Sequence, residues 1–561
     1  MSGCPFLSTV EELSRQQLDC LIIGSGPAGT AVAEQLYTEG NNLRIGILER
    51  GPLLTTSHIS NVLRPQMDVP GLSEPTLLRD QARGQFIARH EQKPWTGAFQ
   101  DDGMLIMAFG GRGIVAGAHL PRFYEDDLAG YGMDEHVRWP IGRKLLESFY
   151  QKAEGRRHVS FGECKGQMQT WALCQLQKRN AHEPPWGVDV RSGTNTDISL
   201  GYDSAASRLW DLLVRDDARA GGDLRKRRLF LATNAYAHRL IMSNGGNTVR
   251  GVACFDTREA PPEAPERPTP IELTKFRSVV LAASTIESTR LALLSGLGDP
   301  PSTPESERVV GHYLAEHIFV RSQLYRPILS SNPHDQFINV VVPPRSPEAV
   351  NRFHIHVVGG PSTSPGHAGE VMIRLTGEAA MDPLHENYVR LNRDGDSPGH
   401  DGVDQWGVPK AHIVFSLGEC DRNRIGHMIS EMRAVASALG GTLPEKIEPL
   451  PSGRSHHEGG TLRMGTDPKY SVVNPEGRFH NVRNLYAADA SVFPCVGVAN
   501  PMLTITAVGY LVAASIERML TAETVDVVER PAVALPAVER QAPANDYPTT
   551  VPLAAQQTEA A

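Results

Sequence analysis

Residues 19–49 constrain the fold of this chain more than any other stretch. DCLII (19–23) is a short apolar run suited to a buried parallel strand. GSGPAG follows, and then TAVAEQLYTEG, whose apolar spacing is helical and whose last residue is a helix-stopping glycine. A second strand, predicted over Leu43–Leu48, leads to Glu49. The three pieces make a βαβ unit. Gly24 permits the tight turn, Gly26 lets backbone approach a pyrophosphate, and Gly29 lets the helix close on the strand. Glu49 stands 20 residues beyond Gly29, where a carboxylate can accept both hydroxyls of an adenosine ribose and disfavours a 2′-phosphate. A GxGxxG turn alone also arises by chance, but with the strand, the helix and the spaced acid it points to a dinucleotide site.

The other end of the chain carries the chemistry. Between Ser455 and Ile516 it reads SHHEGGTLRMG, then NLYAADASVFP, then GVANPMLTITAVGYLVAASI. The stretch holds a histidine pair, a strand ending on Asp489, and an Asn-Pro that opens an apolar helix. Proton and hydride chemistry calls for groups such as the histidines and Asn500, and a strand-end acid and a helix N-terminus suit a nucleotide's hydroxyls and phosphates. Plainer roles exist for each. Asp489 also suits a strand-end turn, and Asn500 also suits a helix cap with Pro501 in the first turn. The two ends of the chain have to meet for one site to form.

Composition excludes several classes. With 561 residues the chain has room for two cores, and 40% apolar and 21% charged residues are ordinary for a soluble globular enzyme. A net charge of −9 offers no basic footprint for nucleic acid. No apolar run reaches the roughly 18–20 residues of a membrane span, and residues 1–18 lack the apolar core of a secretory signal. The seven cysteines are scattered without CxxC spacing, which fits a reducing cytoplasm better than a disulfide framework or a zinc site.

Further along, FGGRGIVAGAHLPRF (109–123) is a second glycine-rich loop, either a flexible turn or backbone laid against a flat ring. Strands are expected near Leu229–Ala232 and Arg250–Phe255, and SVVLAASTIESTRLALLSG (278–296) reads as another strand, turn and helix. Runs at Phe337–Val342, Phe353–Val358 and His412–Phe415 suit an antiparallel sheet. Residues 51–105 are irregular and suit a lid or an oligomer arm. From about Thr521 the sequence loses periodicity and reads as a disordered tail, so truncation after Leu520 is expected to spare cofactor and turnover.

IIGSGPAG…ILERG, FGGRG…PRF, VVLAAST…LLSG, GHYLAEH and the 455–516 block together resemble the glucose–methanol–choline (GMC) oxidoreductases, FAD-dependent enzymes that oxidise alcohols. The likeness runs from about residue 18 to 520, and the PRF ending is similar to the pyranose and glycoside oxidase branch. It implies an α/β fold: a discontinuous Rossmann-like FAD-binding domain (17–156, 225–320 and 455–520) and an inserted, mostly antiparallel-sheet substrate domain (157–224 and 321–454), with 521–561 as tail. It implies that Gly24, Gly26, Gly29 and Glu49 hold the adenosine end of FAD, that Gly110 and Gly111 approach the flavin and pyrophosphate, that Asp489 meets the ribityl or phosphate part, and that Asn500, Pro501 and Met502 sit beside the isoalloxazine. The family's active histidine maps to His457 and its second catalytic position to Asn500.

The implied reaction takes an alcohol, possible sugar, glycoside or biosynthetic-intermediate substrates included, to an aldehyde or ketone. His457 acts as base, hydride passes to flavin N5, and oxygen or another acceptor reoxidises the flavin. A flavin-containing lyase that does not cycle its flavin and a non-catalytic flavin-binding protein are the alternatives. Some members bind flavin covalently through a histidine in the second loop. Here that position is Val115, with His119 four residues on, so non-covalent FAD is expected. His456 is expected on the far side of an extended segment. His317, His354 and His356 read as structural; the last two share one sheet face and could reach the pocket or a metal, but no third ligand is expected near them.

Overall fold

In the computed structural model, residues 6–40, 42–58, 95–99, 105–116, 119–130, 137–160, 166–187, 203–258, 269–330, 332–362, 364, 366–393 and 402–522 are described. The lid or arm region, apart from 51–58, 95–99 and Leu105, and the tail beyond Ala522 fall outside them.

The N-terminal βαβ unit forms as its sequence dictates. Strand β1 (Leu18–Ile23) is buried almost throughout, and helix α1 (Pro27–Thr38) follows the glycine turn. Strand β2 (Ile45–Leu48) starts two residues later than expected. β3 (Leu229–Ala232), β4 (Phe276–Leu281) and β5 (Leu485–Ala487) complete a five-stranded sheet in the order β5-β4-β1-β2-β3, parallel at every pairing. Leu21, Ile22, Ile47, Val279 and Val280 are fully buried in it, and each such aliphatic side chain contributes about 1.5–3 kcal/mol relative to exposure. Sheets buried on both faces read as unbroken apolar runs, and these strands do.

The two chain ends meet here. Helix α3 (Met502–Ala522) crosses α1 so closely that a Cβ on Gly509 would lie 2.9 Å from Ala31 Cβ. α3 is long and apolar enough to cross a membrane, yet 72% of its most apolar window is buried inside this protein, so its apolarity is spent on the core around Val508, Val512 and Ile516.

A four-stranded antiparallel sheet forms the second core. Its order is His317–Pro327, Glu370–Ala380, Phe353–Pro361, Ile338–Val342. One face packs Val320, Ile355 and Leu375 against helix α2 (Glu419–Ala438) and Val340 against the helix Gln167–Leu176. Alternation puts His317 and Phe319, Glu378, His354 and His356 on the other face. The run at His412–Phe415 does not join this sheet. Ala411–Val414 pairs with Tyr388–Leu391 and with Trp95–Gly97 in a separate three-stranded sheet. The 250–255 run also sits apart, in a small antiparallel sheet of Ala235–Met242, Val249–Asp256 and Ile271–Leu273.

Candidate active site

A cavity of about 790 Å³ runs from Glu49 past the glycine turns to His457 and Asn500, within the usual range for ligand sites. At one end the chain has removed side chains where backbone must come close. Gly24 has φ +108°, and a Cβ there would lie 2.3 Å from Ala282 O. A Cβ on Gly29 would lie 1.9 Å from Gly24 O. Gly26 is different: nothing lies within 4 Å of its Cβ position, and it caps α1 without a side-chain hydrogen bond. The first-turn amides of α1 therefore open beside free space, which suits a phosphate. Gly110 and Gly111 both have positive φ, and Gly110 N–H donates to Ser25 Oγ at 2.9 Å. A Cβ on Gly111 would stand 3.3 Å from Gly26 Cα, so the second glycine loop lies on the first.

Glu49 ends β2 with its carboxylate turned into the turn. It accepts from Ser25 N–H (3.1 Å), Ser25 Oγ–H (2.6 Å) and Gly51 N–H (2.9 Å). Burial raises its pKa, and these donors oppose the rise. Asp489 lies beyond β5, lines the same cavity, and caps the turn Ala490–Val492 through Ser491 N–H (2.9 Å) while accepting from Ser288 Oγ–H (2.5 Å). Its plain role as a turn cap and its place on the cavity wall coexist. Asn500, Pro501 and Met502 line the cavity where α3 begins, and Asn500 Oδ1 has no hydrogen-bond partner among the described residues. The open α1 amides, the missing side chains and this vacant acceptor fit an extended dinucleotide with a ring beside Asn500.

His457 lines the cavity, half-buried. Its Nδ1 lies 2.9 Å from His317 Nδ1, and its N–H donates to Ser455 Oγ at 3.2 Å. Burial, then the neighbouring His317, pulls its pKa well below 6.5, against the pull of Glu378. His456 was expected on the far side of an extended segment. It has φ +59° instead, and the turned backbone brings both histidines to the cavity.

The sequence reads His317 and His356 as structural and assigns no role to Glu378 or Arg112, yet all four meet at this site. Glu378 is 4% exposed on the cavity side of the second sheet, 3.4 Å from His354. Burial pushes its carboxyl up, but the surrounding histidines, His354 foremost, pull it well below the usual range. His317, Glu378 and His457 each offer a ligand atom within 4.8 Å of the others; the sheet thus supplies the acid that was expected to be lacking near His354 and His356. His356 lines the cavity, shares a hydrogen bond with Asn339 (2.7 Å) and stacks on His119 at 4.7 Å. Arg112 reaches from the second glycine loop to Glu458 and to the His456 carbonyl (2.9 Å), tying that loop to the histidine segment.

Glu316 braces the same segment from below. Its carboxyl accepts from Gly453 N–H (2.5 Å) and Ser455 Oγ–H (2.7 Å). Burial pushes it from 4.5 to about 8. The folded state therefore keeps a proton that the unfolded chain releases above 4.5. The stability this provides is present below that pH and is lost as pH rises to about 8. Thermal melts should show a Tm that declines over about pH 5 to 8 in the wild type and declines less in Glu316→Gln. Parallel slopes in the two proteins would assign the effect to other groups.

The family model described as GMC oxidoreductase matches residues 383–509. C-glycoside 3-oxidase from Microbacterium trichothecenolyticum is 30% identical over 91% of this chain and 98% of its own. 2-Methyl-1,2-propanediol dehydrogenase from Mycolicibacterium austroafricanum is 24% identical over 88% and 94%. The crystal structure of pyridoxine 4-oxidase from Mesorbium loti superposes with a TM-score of 0.58 at 17% identity, over 89% of this chain and 99% of that one, a likeness of fold.

Proposed function

The chain belongs to the GMC oxidoreductases, and from that premise we propose that it binds FAD non-covalently and oxidises a CH–OH group of a sugar or glycoside to the carbonyl. The observation that carries this reading is the convergence of His457 and Asn500 on the cavity that the two glycine turns and Glu49 open at its other end. FAD, when bound, supplies the hydride acceptor. The protein's part is proton handling and alignment. His457, neutral because burial keeps its pKa low, takes the hydroxyl proton as the carbon–hydrogen bond breaks. Asn500 gives the alcohol oxygen a second hydrogen bond. Glu378 places a negative charge near the imidazolium that forms. The sugar or glycoside assignment is supported by the 30% identical C-glycoside 3-oxidase and by a polar wall of His119, His356 and Arg321. A reducing cytoplasm fits the free cysteines at 20, 174, 254, 420 and 495.

The test is anaerobic addition of alcohols, sugars and glycosides to the FAD-loaded protein. Bleaching of the flavin's visible band by any of them supports oxidation, and a flavin that no alcohol bleaches while substrate is still consumed supports the lyase reading. Oxygen uptake against dye reduction then identifies the acceptor. Val115, on the cavity wall, offers no nucleophile, so acid precipitation should leave the yellow colour in the supernatant. Colour in the pellet would assign the link to His119, on the same wall, or to Cys495.

A further inference from the structure

His317 is the last residue of GHYLAEH and the first of its strand, and it is 2% exposed. Its Nε2 lies 2.5 Å from the Gly497 carbonyl oxygen. A carbonyl only accepts, so Nε2 carries the hydrogen and donates it. A neutral imidazole has one N–H, so His317 Nδ1 holds a lone pair. Burial keeps His317 neutral, with its pKa pulled down to about 4. The hydrogen in the 2.9 Å contact between the two Nδ1 atoms therefore belongs to His457. The rings meet edge to face at 86°, which lets one ring's N–H point at the other's nitrogen.

The anchor of this chain of bonds is itself fixed. Gly497 O and Val498 N–H belong to one peptide unit. Val498 N–H donates to Asp127 Oδ1 at 2.9 Å, and Asp127 is 1% exposed. A Cβ on Gly497 would lie 2.8 Å from Asp127 Oδ2. The peptide is thus gripped on its N–H side by Asp127 and on its C=O side by His317, and it cannot turn without breaking both bonds. It lies three residues before Asn500, so the segment that carries Asn500 also directs His457.

We propose that His317 is a positioning residue, which relays the orientation of the Gly497 carbonyl to His457 and fixes the tautomer whose Nε2 is unprotonated and ready to take the alcohol proton. This rests on the oxidase reading above. It engages the two histidines of the His317–Glu378–His457 cluster with each other through their Nδ1 atoms.

Asparagine and leucine have nearly the same shape, but only asparagine places an acceptor near the position of the lost Nδ1. Stopped-flow reduction of the FAD-loaded wild type, His317→Asn and His317→Leu by one alcohol, from pH 5 to 9, should separate hydrogen bonding from packing. We expect His317→Leu to lower the limiting reduction rate by roughly 10–10²-fold with the half-saturating alcohol concentration little changed, and His317→Asn to recover most of it. Equal losses in the two variants would overturn the relay. A measurement independent of turnover is the ¹⁵N spectrum of histidine-labelled protein minus that of His457→Ala. Signals of a protonated Nδ1 and a bare Nε2 support the relay, and the reverse tautomer overturns it even if no alcohol reduces the flavin. One equivalent of divalent metal in the purified holoprotein would also overturn it.

Discussion

His457→Ala should slow flavin reduction by roughly 10²–10⁴-fold, the usual range for removing general acid–base assistance, and should leave FAD bound. Hydride leaves a carbinol carbon readily only when its oxygen sheds a proton, and His457 on the cavity wall is placed to take it. Its ring meets His317 and Phe319 and its backbone N–H meets Ser455 Oγ, all outside the glycine turns, so the absorbance of bound flavin per chain should match the wild type. The pH profile adds a sign. A base whose pKa lies well below 6.5 is deprotonated through neutrality. The wild-type rate should hold as pH falls through 6.5 and decline only below it. His456→Ala is the register control. Both histidines now face the cavity, but His457 alone bonds His317, so His456→Ala should cost far less. If His456→Ala fails while His457→Ala works, the roles are exchanged. If both work, the oxidation reading falls.

How much of this was legible in the sequence follows from the range of the interactions. The glycine turn, its helix and Glu49 are local: 31 residues contain every signal, and the turn closes on itself through Ser25 and Gly51. His457 and Asn500 were legible through motifs of similar length. Glu378 was not, because only the antiparallel register opposite His317's neighbours brings it to the cavity face. His317 was present in GHYLAEH, but its contact with His457 spans 140 positions. Arg112 pairs with Glu458 across 346. His456 was misplaced because alternation along an extended segment was assumed, and one residue at φ +59° ends that alternation. His412–Phe415 was read correctly as strand-forming, but which sheet takes a strand is decided by its partners, and these are Tyr388–Leu391 and Trp95–Gly97.

The same substitution at two glycines should have opposite results, and the contrast tests the cofactor cradle. Gly29 and Gly426 both lie within helices. By propensity alone, alanine for glycine in a helix gains about 0.5–1 kcal/mol. Gly426 is exposed, with nothing within 4 Å of its Cβ position. Gly426→Ala should raise Tm slightly and leave flavin content unchanged. At Gly29 the added methyl would lie 1.9 Å from Gly24 O and 3.3 Å from Ile22 Cγ2. Neither neighbour can yield cheaply. Gly24 O belongs to the turn whose own Cβ position is closed by Ala282, and Ile22 is fully buried in the parallel sheet. Helix α1 must therefore move off β1, at a cost of the order of 1–3 kcal/mol or more for an overpacked site. The shift carries the α1 N-terminus, with its open amides, away from Gly111 and Glu49. Gly29→Ala should purify with at most about a tenth of the wild-type flavin, a loss of the order expected when about 1.4 kcal/mol or more of binding energy is removed. Flavin content equal to the wild type, with the chain folded by circular dichroism, would mean that the close approach of α1 to β1 does not hold the dinucleotide. The cradle would then have to be sought at Gly110, Gly111 and Asp489 alone.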